Sequence, residues 1–99
     1  MNKYGAIVKN VLDANTVEAT IDLGFGCTIR RIFKVFNSSF PNFTDDPKED
    51  AIAYKSKAQS ILLGKRVQIA SHKLGRNGRY ALDISINGEN YIDKVQRMQ

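Results

Sequence analysis

The chain has 99 residues, 42% apolar and 25% charged, a composition that suits one small globular core over residues 1–99 and excludes a disordered segment. No apolar run approaches the roughly 18 residues of a membrane span, the polar N-terminus lacks a signal-peptide apolar stretch, and the single Cys27 excludes an internal disulfide framework, so a cytoplasmic chain without membrane contact is expected. The net charge of +5 permits a polyanionic partner, and its distribution is uneven: all ten acids fall outside Leu23–Thr44 and Ala51–Tyr80, whereas ten of the fifteen basic residues fall inside.

Tyr4 to Leu12 is apolar and β-branched enough for a strand, and Asp13-Ala14-Asn15 is a turn cluster. From Thr16 to Leu23 the side chains alternate, with Val17, Ala19 and Ile21 on one face and Glu18, Thr20 and Asp22 on the other, the period of a half-buried strand. Gly24-Phe25-Gly26 supplies a turn, and a third strand from about Cys27 to Phe36 completes an antiparallel meander. Asp46-Pro47-Lys48-Glu49 has the form of a helix start, with Asp46 as cap, Pro47 in the first turn and Glu49 completing a capping box. Ala51, Tyr54, Ala58, Ile61 and Leu62 then recur at helical spacing up to a stop at Gly64, leaving Lys55 and Lys57 toward solvent. A fourth strand is expected over Arg66–Ser71 and a fifth over Tyr80–Ile86, turned by Asn87-Gly88 and followed by a short amphipathic helix using Tyr91, Ile92 and Val95. Three strands, a helix and two strands form the element order of an OB-fold, so the expected class is α+β, mainly β: a five-stranded barrel with its helix between the third and fourth strands.

The stretch Ile32-Phe33-Lys34-Val35-Phe36-Asn37-Ser38-Ser39-Phe40-Pro41-Asn42 resembles the third strand and active-site loop of the thermonuclease (staphylococcal nuclease-like) family, whose pattern there is roughly Phe-Arg-Leu-x-x-x-Asp-Thr-Pro-Glu. Phe33, Val35 and Pro41 fit that pattern. Asp13-Ala14-Asn15-Thr16-Val17 stands where the family has Asp-Gly-Asp-Thr-Val, and Gly78-Arg79 stands at a Gly-Arg motif. Asp22-Leu23-Gly24-Phe25-Gly26 is similar to a hairpin of phage-type members, which suits a phage or bacterial source. The resemblance covers about residues 4–97 and implies the same barrel.

In that family two aspartates bind Ca²⁺, a glutamate positions or activates the attacking water, and two arginines hold the phosphate. Those roles fall here on Asn15, Ser39, Asn42, Lys34 and Arg79, of which only Arg79 keeps its residue type. Ca²⁺ takes about six to eight oxygens and relies on carboxylate charge to offset its dehydration. Asn42 cannot serve as a base at neutral pH, and Lys34 keeps a charge without the planar two-oxygen fork of arginine. The expectation is therefore a degenerate nuclease-like domain, catalytically inactive, with no catalytic residues, no metal and no cofactor.

Lys34, Lys73, Arg76 and Arg79 are the candidate binding residues, since the family layout sets the third strand and the 73–79 loop on one cleft. The implied partner is a single-stranded nucleic acid, a nucleotide or another phosphate-bearing ligand. Phe25, Phe40, Tyr54 and Tyr80 are candidate stacking aromatics, with Phe40 and Tyr54 better explained as core. Two alternatives remain: a protein-interaction module exposing apolar surface near Phe36, Phe40 and Phe43, and a nuclease with relocated ligands, Asp13 with Asp45 or Asp46. Cys27 reads as a small core residue, His72 as a solvated strand end, Lys65-Arg66 as a solvated pair, and Gly75-Arg76-Asn77-Gly78 as a tight turn.

Overall fold

Alternation is the rule that builds the barrel. The computed structural model describes residues 3–44, 46–74 and 79–97, with residues 73, 74 and 79 described by their backbone. Its elements are β1 (Lys3–Asp13), β2 (Thr16–Gly24), β3 (Cys27–Val35), α1 (Glu49–Leu62), β4 (Arg66–Leu74), β5 (Arg79–Ile86), β6 (Glu89–Asn90) and α2 (Tyr91–Arg97). The sheet order is β3-β2-β1-β4-β5-β6, and β3 returns to pair with β5 in parallel through Lys34 opposite Ala81 and Val35 opposite Leu82. That pairing closes a five-stranded mixed barrel of OB type, with β6 as an added strand.

Register follows burial. Val17 opposes Phe33, Ala19 opposes Arg31 and Ile21 opposes Ile29, while Ala6 opposes both Ile21 and Val67. Slipping β2 by one residue would turn Val17, Ala19 and Ile21 out and Glu18 in, so the hydrophobic pattern fixes the pairing. Val8, Val11, Val17, Leu62, Leu82, Ile84, Tyr91 and Val95 make the fully buried centre. Each such aliphatic side chain contributes roughly 1.5–3 kcal/mol over its exposed state.

The helices cap this core. Ala51, Ala58, Ile61 and Leu62 are the buried face of α1, as the spacing predicts, and Gly64 ends it in the left-handed region at φ 73° while its N–H donates to Val8 O (2.8 Å). The start differs from the expected capping box. The N-cap is Lys48, with no side-chain cap, and Asp46 and Pro47 precede the helix. Glu49 and Asp50 in the first turn complement the helix dipole instead, and Asp50 Oδ1 accepts from Ala51 N (2.8 Å). Neither Lys55 nor Lys57 points freely into solvent: Lys55 Nζ lies 3.9 Å from the Phe43 ring centre and Lys57 Nζ 4.8 Å from that of Tyr54.

At the C-terminal end, β6 pairs back onto β5 with Ile86 opposite Glu89, and Asn90 Oδ1 accepts from Ile92 N (2.8 Å) to open α2. Tyr91 and Val95 are buried, and Arg97 pairs with Glu89. Among the described residues no helix is long and apolar enough to cross a membrane.

Candidate functional site

One end of the barrel gathers the β1–β2 turn, the close of β3, and the end of β4 with the start of β5. The turn is shaped by Asp13, whose Oδ1 accepts from Asn15 N (2.8 Å) and whose Oδ2 accepts from Phe43 N (3.4 Å). This is the local backbone bonding expected of an aspartate in a turn, extended to the loop after β3. Asn15 then reaches across. Its Oδ1 accepts from Phe40 N (2.9 Å), and its Nδ2 donates to Phe40 O (2.7 Å) and to Asn42 Oδ1 (3.0 Å). The carboxamide of Asn15 thus pairs with both backbone groups of Phe40, much as a strand residue would.

Loop 36–44 is anchored at both faces. Phe40 packs on the core, stacked on Tyr54 at 5.2 Å between ring centres and edge-on to Tyr91 at 6.5 Å. Val35 N donates to Asn15 O (2.8 Å), Phe36 N donates to Leu82 O (2.7 Å), and Ser38 Oγ donates to Val35 O (3.0 Å). Beneath the turn, the Tyr91 hydroxyl donates to Ala14 O (2.8 Å). Burial holds that hydroxyl well above the ordinary tyrosine range, and the negative charge of Asp13 adds to the effect. Asp13, Asn15, Phe40, Asn42 and Tyr91 form one hydrogen-bonded and stacked unit.

Strand register places the backbones of Lys34, Lys73 and Arg79. Lys34 is exposed on the outer face of β3, opposite Thr16 on β2, and makes no ion pair among the described residues. Its parallel partner Ala81 lies two residues after Arg79, so strand spacing and rise put the Lys34 and Arg79 backbones about 8 Å apart. Lys73 opposes Tyr80 and Leu74 opposes Arg79, which brings Lys73 to the same end one strand further on. Arg76, Asp45 and the turn expected over Gly75–Gly78 lie outside the described residues. Ser39 stands in the same loop as Phe40 and Asn42. Among the described residues, no three histidine, cysteine or acidic side chains gather closely enough to hold a metal ion.

Several residues behave differently from their sequence reading. Cys27 is exposed, because β2 and β3 run past the barrel wall and nothing covers the end of their hairpin. Phe25 tops that hairpin fully exposed, while Phe40 and Tyr54 are core-packed and Tyr80 is about half exposed. β4 continues to Leu74, so His72 is no strand end: it opposes Ala81 within the ladder. Its ring stacks on Phe36 at 3.8 Å, and its buried Nε2 lies 3.9 Å from Asp83 Oδ2, beyond hydrogen-bond reach. Of the three phenylalanines, Phe36 stacks on His72 and Phe40 packs on the core, while Phe43 stays exposed with Lys55 Nζ over its ring. The Lys55–Phe43 pairing carries no sequence signal, because no periodicity links a helix residue to a loop residue twelve positions earlier.

No family model matches this sequence, and no curated protein matches it.

Proposed function

We propose that this barrel is a degenerate member of the thermonuclease-like family that binds a single-stranded nucleic acid or nucleotide through its phosphates and does not cut it. The observation that carries this reading is the Asn15–Phe40–Asn42 clasp. At the positions where the resemblance expects charged ligands and a base, two neutral carboxamides are hydrogen-bonded to each other and to the loop. Asn15 has its oxygen bonded to the Phe40 amide and its amide group donating twice, and it offers a cation no charge. Asp13 is engaged with the Asn15 and Phe43 amides, which argues against a relocated metal site built on it.

The phosphate side of the family chemistry persists in part. Lys34 stands beside the clasp without a carboxylate partner, and the β3–β5 register brings the Arg79 backbone next to it. Clustered cations suit a phosphate backbone, whose neutralisation releases counterions and needs no metal. A second reading, an interaction module, is favoured by Phe25, whose full exposure at a hairpin tip is unusual for so large an apolar side chain.

The test of lost chemistry is hydrolysis of single-stranded DNA with and without Ca²⁺. The native protein is expected to cut negligibly, and so is each single change among Asn15→Asp, Lys34→Arg, Ser39→Asp and Asn42→Glu, because metal binding and base function are missing separately. Robust cutting by the native protein or by one single variant refutes the proposal.

A further inference from the structure

We propose that the outer face of the sheet, six residues along β1 from the clasp, carries an anion site centred on Arg66 that takes a small carboxylate- or phosphate-bearing molecule. Arg66 opens β4 opposite Ile7, six residues before Asp13 on β1, so it sits about 20 Å along that strand from the clasp. Its guanidinium lies beside the neighbouring Gly5. A Cβ at Gly5 would stand 3.6 Å from Arg66 Nη2 and 3.8 Å from Nε. The arginine makes no ion pair or hydrogen bond among the described residues.

Two hollows flank this guanidinium. The larger, about 470 Å³, is lined by Arg66 with Gln68, Ser85, Asn87 and Gly88, and contains no acid. The smaller, about 150 Å³, includes Thr20, Thr28 and Asp22. Asp22 already spends Oδ1 on Gly24 N (2.8 Å), and its charge disfavours an anion on that side. The larger hollow therefore offers one unpaired, always-charged fork together with neutral amide and hydroxyl groups that can donate to further oxygens. Two parallel N–H donors suit a carboxylate or phosphate held by two oxygens. This site is separate from the clasp and stands whether or not the chain binds nucleic acid.

The experiment is an amide and arginine-side-chain NMR titration with sodium phosphate and, separately, sodium acetate, at ionic strength held constant with chloride. Saturable shifts confined to Arg66 Nε–H, Gln68, Ser85 and Asn87 are expected with at least one anion; the arm that saturates identifies phosphate, carboxylate or both. Arg66→Gln is expected to weaken binding at least tenfold. Arg66→Lys keeps the charge and loses the fork, and Gly5→Val keeps every charge and displaces the guanidinium; both are expected to weaken it severalfold. Absence of saturable shifts with both anions overturns the proposal. So does binding by Arg66→Gln as tight as that of the native protein, or by both charge-keeping variants together.

Discussion

The side-chain amide of Asn15 donates to the side-chain oxygen of Asn42 at 3.0 Å, across 27 positions of sequence. That bond ties the β1–β2 turn to the loop after β3 and does so without charge. Because the same amide also bonds Phe40 O and accepts from Phe40 N, Asn15 is a structural crosspiece at the position where the family resemblance expects a metal ligand.

Restoring an acid at that position should therefore cost stability. Asn15→Asp removes both donated hydrogen bonds and sets a carboxylate against two acceptor oxygens, a loss of about 2 kcal/mol. Tm should fall by an amount on the order of 10 °C. An unchanged melt would mean that the clasp contributes nothing.

Tyr91 supplies a pH prediction. Its hydroxyl titrates higher in the folded state than in the unfolded chain, through burial first and the Asp13 charge second. Above the unfolded tyrosine value of about 10 the unfolded chain loses a proton that the folded one keeps, so stability is fully present below that pH and declines above it by up to about 1.4 kcal/mol per pH unit. Tyr91→Phe should remove that part of the alkaline decline. It should also cost about 1–2 kcal/mol at neutral pH by leaving Ala14 O without its partner. Denaturation of the two proteins between pH 9 and 11.5 should give curves that converge; parallel curves would contradict the assignment.

The aromatics separate by environment. Phe40→Ala opens space between Tyr54 and Tyr91 and should cost about 2–3 kcal/mol. Phe25 occupies φ 55° between Gly24 at 84° and Gly26 at 74°, a hairpin position that favours asparagine. Phe25→Asn should leave stability equal or raise it by about 0.5–1 kcal/mol. Chemical denaturation of both variants reads the contrast, and a destabilised Phe25→Asn would show a packing role for that ring.

Much of the barrel is legible in the sequence, for reasons that differ by element. The strict alternation of Val17, Ala19 and Ile21 with Glu18, Thr20 and Asp22 fixes β2, and the Ala51–Leu62 spacing fixes α1. What escapes sequence reading is where a strand outruns its cover. β3 exposes Arg30, Arg31 and Ile32 on successive positions, and Cys27 and Thr28 before the half-buried Ile29, because its hairpin with β2 projects past the barrel. The start of α1 escapes too, since Asp46-Pro47 satisfies local capping rules while the first buried position is Ala51. Of the candidate site, the Asp13-Ala14-Asn15 turn was legible as a turn cluster. Its clasp was not, because a hydrogen bond between residues 15 and 42 is visible only once the fold brings them together.

The central claim, a phosphate-binding edge at Lys34, Lys73, Arg76 and Arg79, is tested most directly by the salt dependence of single-stranded DNA binding. Four phosphate contacts should give a slope of log affinity against log salt of about −2.8, or a loss of roughly fiftyfold between about 50 and 200 mM salt. Arg79→Glu should weaken binding and flatten the slope, whereas Lys94→Glu on α2 should do much less. Equal weakening by the two reversals would reduce the interaction to the attraction of any chain of net charge +5 for a polyanion, and no binding at low salt would end the claim.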